Sequence, residues 1–100
     1  MSEHPLKPIE KIDPQLMKHI NDSQELAFSD GALPKKFKLL IGLALDAAMG
    51  SDQGVKSFAQ RAIQAGATKH EIAEVLRIVK YINGAGSMYT AARGIRDIFE

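Results

Sequence analysis

With 100 residues, 45% apolar and 25% charged, the chain has the composition of one globular domain, which excludes disordered, fibrous and low-complexity classes. Thirteen Lys and Arg against twelve Asp and Glu leave a net charge of +1, without the basic excess of a domain built to grip nucleic-acid backbones. Cysteine is absent, which excludes disulfides, thiolate metal sites, thiol nucleophiles and dithiol redox chemistry.

Residues 1–12 read as an extended leader with prolines at 5 and 8, and residues 13–100 as a single helical domain. The leader lacks the apolar run of about 7–15 residues that a secretory signal needs. The longest apolar stretch, Leu39 to Met49, is interrupted by Gly42 and Asp46 and falls short of the roughly 20 residues of a membrane span. A cytoplasmic protein without membrane contact is the expectation.

Apolar residues recur at three and four rather than alternating, so the fold class is all-α, with about five helices and no internal repeat. Asp13 caps a first helix with Pro14 at its first position, and Leu16, Met17, Ile20 and Leu26 form its face until Asp30-Gly31 breaks it. Pro34 opens a second helix that runs to Gly50 and is apolar over most of its circumference. Its polar stripe is confined to Lys35, Lys38, Gly42 and Asp46. Such a helix needs cover on most sides, and a chain this short has few helices to supply it. Burial by another subunit is therefore expected.

Ser51 caps a third helix, with Val55, Phe58, Ala59, Ala62 and Ile63 as its stripe and Gly66 as its stop. Thr68-Lys69-His70-Glu71 is a capping box for a fourth, whose face is Ile72, Val75, Leu76, Val79 and Ile82. Gly84-Ala85-Gly86 ends it, and Ser87 is read as the cap of a last helix carrying Met88, Ala91, Ala92, Ile95 and Ile98. Gly94 lies inside that helix, where a glycine costs about 1 kcal/mol against alanine, so close backbone packing is expected there.

The segment from Thr68 resembles the opening of a DNA-binding helix-turn-helix, but its apolar period continues unbroken to Asn83 and the next helix is a poor reader of base edges. No nucleic-acid partner is expected. His4, His19 and His70 show no metal-ligand spacing, and no metal or cofactor is expected. Asp46 lies in the last turn of the apolar helix, where the dipole disfavours an anion. The preferred reading places it on an exposed stripe with Lys35 and Lys38, and the functional alternative is a pocket carboxylate held near Ser51. Ser51 itself has no nearby base in sequence, and a helix cap explains it without chemistry.

The run Gly31 to Leu45 resembles the opening helix of the carboxymuconolactone decarboxylase-like family, which includes the alkylhydroperoxidase D-like proteins. The stretch Arg61 to Leu76, with Ala65-Gly66-Ala67-Thr68 ahead of a capped helix, is similar to the family's strongest signature. Gly84-Ala85-Gly86 followed by Tyr89-Thr90-Ala91-Ala92 fits as well, and the resemblance covers residues 28–96. It implies the family's helical fold and a homo-oligomer, a trimer or hexamer. The redox branch carries Cys-x-x-Cys-x-x-x-His and a preceding glutamate. The resemblance puts these at Ser51, Gly54, Phe58 and Leu39, where none of the required chemistry remains. The lactone decarboxylases keep a histidine at the Phe58 position, which this chain also lacks.

The expectation is thus a small-molecule-binding homo-oligomer on this fold without the thiol site, its catalysis left open. The alternative is a non-catalytic oligomeric interaction protein. Leu39, Asp46, Ser51, Gln53, Gly54 and Phe58 form the candidate pocket. Convergence of Asp46, Ser51, Asp52 and Gln53 on one pocket favours the first reading, and their pointing into solvent favours the second.

Overall fold

Six helices follow one another in the computed structural model, which describes residues 5–99: α1 (Lys7–Ile12), α2 (Pro14–Phe28), α3 (Lys35–Met49), α4 (Asp52–Gln64), α5 (Lys69–Asn83) and α6 (Gly86–Ile95). Five match the expected helices. The sixth, α1, corrects the extended leader: residues 7–12 are helical and pack along α2. Pro8 sits in the first turn of α1, where its missing N–H has no intrahelical partner to lose. His4 lies outside the described residues.

The predicted caps form where the sequence places them. Asp13 Oδ1 accepts from the Leu16 N–H at 3.0 Å, and Ser51 Oγ accepts from the Gly54 N–H at 3.2 Å. At α5 the capping box is complete: Thr68 Oγ1 accepts from the Glu71 N–H and Glu71 Oε1 accepts from the Thr68 N–H. Gly50 closes α3 in the left-handed conformation, φ 83°, which costs glycine little. The start of α6 departs from expectation. Gly84 turns the chain at φ 86° and ψ −174°, α6 begins at Gly86, and Ser87 falls inside the first turn. Its hydroxyl is buried and donates to the Gly84 carbonyl at 2.7 Å instead of capping. The helix ends at Ile95, so Ile98 packs on the core from a following turn.

Helix α3 is the centre of the molecule, with α4, α5 and α6 packed around it. Leu39 and Leu43 of α3, Val55 of α4 and Ile72 of α5 are the largest fully buried side chains, each contributing about 1.5–3 kcal/mol through burial. Ala47, Ala59, Ala62 and Ala91 fill the crossings, where small side chains let the helices approach closely.

The orientation of α3 overturns the second half of the expected exposed stripe, while Lys35 stays exposed. Gly42 is buried and Asp46 half-buried, because this face of small or short side chains is the one turned towards α4. Phe37, Ile41, Leu45 and Met49 lie instead on the surface, Met49 at 79% exposure. Ile78 and Ile82 of α5 are exposed as well, and Phe37, Ile41, Leu45 and Ile78 line one apolar groove between the two helices.

Candidate functional site

The start of α4 brings three of the candidate residues together. Ser51 is the cap, Gly54 lies one turn in, and Asp46 reaches across from the last turn of α3. A methyl group on Gly54 would come within 2.5 Å of the Asp46 carboxyl carbon and 2.9 Å of Ser51 Oγ. The Asp46 carboxylate therefore fills the space above Gly54. This resolves its unfavourable position in α3: the carboxylate lies against the positive, N-terminal end of α4. The hand-over from α3 to α4 is held by the Ser51 N–H, which donates to the Asp46 carbonyl at 2.9 Å.

The other candidates are placed elsewhere. Asp52 is engaged by Arg93, whose Nε donates to it at 3.2 Å, tying α4 to α6. Gln53 points into solvent. Leu39 is a core residue, 1% exposed. Phe58 is half-buried on α4 and packs against Gly42, where an added methyl would fall 2.7 Å from the ring. It therefore packs on α3 but stays half-buried, where its place in the α4 stripe predicts full burial.

Two partners of Phe58 escaped the sequence reading. Its ring pairs with that of Phe28 at 5.4 Å between centroids, tilted by 39°. The Arg61 guanidinium lies over both rings, 5.1 Å from Phe58 and 5.4 Å from Phe28. Arg61 is three residues from Phe58 on α4, so that half of the cluster was readable from helical spacing. Phe28 is brought in by the turn between α2 and α3, for which the sequence offers no local signal.

Two open clefts flank this cluster. One of about 410 Å³ lies between α2 and α4, with Asn21, Gln24, Ser29, Lys35 and Arg61 in its wall. The second, about 320 Å³, is lined by Lys35, Leu39, Arg61, Gln64 and Ala65. Among the described residues no three His, Asp or Glu side chains converge to hold a metal ion. Nor is any helix of the described residues long and apolar enough to cross a membrane. Glu71 is held below the usual carboxylate range by the Thr68 backbone N–H and by Lys36, whose Nζ lies 3.0 Å away.

Comparison with known sequences decides the family, since the sequence model for the carboxymuconolactone decarboxylase family matches residues 14–97. The chain belongs to this family. Among carboxymuconolactone decarboxylase relatives in solved structures, the apo crystal structure of a family protein from Legionella pneumophila superposes with a TM-score of 0.86. It shares 32% identity, and the match covers 91% of this chain and 81% of that one. An uncharacterized protein of Cupriavidus necator is 34% identical over 82 residues, 81% of this chain and 73% of the relative. One from Methanocaldococcus jannaschii is 32% identical over 81 residues, with 81% and 74% covered. Within the carboxymuconolactone decarboxylase fold, Ser51 and Gly54 thus stand side by side at the start of α4. Asp46 occupies the adjoining volume.

Proposed function

We propose that the protein is a homo-oligomeric, small-molecule-binding member of the carboxymuconolactone decarboxylase family that works without thiol chemistry. The observation that carries this reading is the apolar face of α3 and α5. Phe37, Ile41, Leu45, Met49, Ile78 and Ile82 are all exposed in the single subunit, and a groove of about 300 Å³ runs between the two helices. Exposed patches of this kind on small domains mark association surfaces. A second copy presenting the same face supplies matching apolar cover, and the trimer or hexamer implied by the family resemblance is the expected assembly.

Light scattering coupled to gel filtration tests the assembly. The wild-type chain is expected at a multiple of its 10.9 kDa protomer mass. Ile41→Glu and Leu45→Glu place a carboxylate in the apolar face and are expected to shift the mass towards one protomer. A wild-type monomer at micromolar concentration refutes the reading.

A second reading, a non-catalytic interaction protein on the same fold, is favoured by one observation. Asp52 is occupied by Arg93 and Gln53 faces solvent, so the four polar residues at the start of α4 do not share one pocket. A ligand-observed NMR screen of small fragments separates the two. Fragments that saturate support the binding role, and a screen without hits supports the interaction protein.

A further inference from the structure

Arg61 lines both open clefts beside α4, and its setting is that of a residue prepared for an anion. It is half-buried, yet among the described residues no carboxylate stands within 4.0 Å of its guanidinium. The Phe28 and Phe58 rings fix the position of the group by cation–π contact. Ring contacts of this kind use the faces of a guanidinium and leave its N–H fork, which matches the two oxygens of an oxyanion. No side-chain nitrogen of a described residue is sealed away without a partner, so the fork is open to solvent.

Lys35 lines the same two clefts; its backbone N–H donates to Asp30 Oδ1 at 2.6 Å, and among the described residues no carboxylate stands within 4.0 Å of its Nζ. The inner cleft adds the Gln64 amide and the apolar Leu39 and Ala65, and its wall holds no acidic residue. Glu25 belongs to the outer cleft only. At about 100° per residue, Lys35 and Leu39 project from roughly the opposite side of α3 to Phe37 and Ile41. Assembly through the apolar face therefore leaves this cleft open.

We propose that the inner cleft binds a small ligand through an oxyanion head group, a carboxylate or a phosphate. Arg61 is the bidentate anchor, Lys35 the second positive charge, and Ala65 the apolar contact for the body of the ligand. The two cations match a phosphate dianion more fully than a single carboxylate. The volume of about 320 Å³ sits at the small end of ligand sites, which suits a ligand of one ring or a short chain. This proposal rests on the reading of the chain as a small-molecule-binding protein and names the chemistry of its ligand.

The test is a ¹⁵N NMR titration of the 100-residue chain with benzoate, phenyl phosphate and neutral benzamide, following the Arg61 Nε–H and Gln64 side-chain amide signals. Saturable shifts with either anion, and none with benzamide, are expected; the tighter anion identifies the head group. Arg61→Gln is expected to weaken anion binding about tenfold or more, since charge-assisted hydrogen bonds are lost. Arg61→Lys keeps the charge without the fork and is expected to weaken it less, as is Lys35→Gln. Far-UV circular dichroism and light scattering establish that each variant folds and assembles. Should Arg61→Gln fail to fold, Arg61→Lys and Lys35→Gln carry the test. Equal shifts from benzamide overturn the oxyanion assignment while leaving a small-molecule cleft in place. Anion affinity unchanged in the folded variants, or no shift of the cleft signals, overturns the site itself.

Discussion

Alanine at position 94 probes the packing of α6 on α4. A methyl group there would lie 2.5 Å from Val55 Cγ1, 2.6 Å from Val55 Cβ and 2.8 Å from the Asp52 carbonyl oxygen. The last two atoms belong to a Cβ and to backbone, which no rotamer change can move, and Val55 is fully buried. Helix propensity favours alanine over glycine by about 1 kcal/mol. Overpacking a tight crossing costs about 1–3 kcal/mol, and contact with fixed atoms puts this site at the upper end. The net expectation for Gly94→Ala is a loss of about 2 kcal/mol. For a domain of this size each kcal/mol lowers the midpoint by about 4–8 °C. Thermal melts followed by circular dichroism, at one fixed protomer concentration, measure it. The control is Gly86→Ala, where an added methyl meets nothing within 4 Å and stability should hold or rise by up to about 1 kcal/mol. A Gly94→Ala protein as stable as the wild type would refute the close crossing of α4 and α6.

Phe58→Ala removes the ring wedged between Gly42, Phe28 and Arg61 and should cost about 3 kcal/mol in urea unfolding, at the low end for aromatic truncation because the ring is half-exposed; a loss under about 1 kcal/mol would show that the cluster contributes little. Thr68→Ala deletes the α5 cap and should cost about 1 kcal/mol by the same assay. Because the folded-state pKa of Glu71 is depressed, its stabilising contribution is complete above the ordinary glutamate value of about 4.3 and is lost as pH falls through the folded value. Glu71→Gln should therefore flatten the acid limb of a urea-midpoint profile, and an unchanged limb would remove Glu71 as its source. Hydroperoxide consumption with a dithiol reductant should not exceed the protein-free control, since Ser51 and Gly54 provide neither a thiolate nor a resolving thiol. Turnover above that control would demand a redox centre that a cysteine-free chain does not supply.

What could be read from the sequence was local. Asp13, Ser51 and Thr68 cap their helices because the partner N–H groups lie three residues away in the same chain. Gly94 announced a close crossing because nothing else justifies glycine inside a helix. The facing of α3 was not readable, since polarity along one helix does not reveal what a neighbour offers. Gly42 and Asp46 face inward because Phe58 and Gly54 on α4 complement them. Helix α1 was missed for a related reason. Six residues with a proline are marginal as an isolated helix, and its packing against α2 is a tertiary contribution. Of the candidate pocket, Asp46, Ser51 and Gly54 do meet, whereas Leu39 and Gln53 diverge into core and solvent. The Arg61 cluster depended on Phe28, thirty-three positions upstream.

The seating of Asp46 over Gly54 also fixes the order in which this chain could acquire a cysteine pair at the start of α4. Cysteine at Ser51 exchanges one small cap for another side chain of similar size. Cysteine at Gly54 would drive its Cβ into the Asp46 carboxylate and demand that this side chain swing away. The Asp46 carboxylate must therefore give way before position 54 can grow. Between this sequence and any dithiol neighbour, the passable route runs first through a residue that carries no sulfur at all.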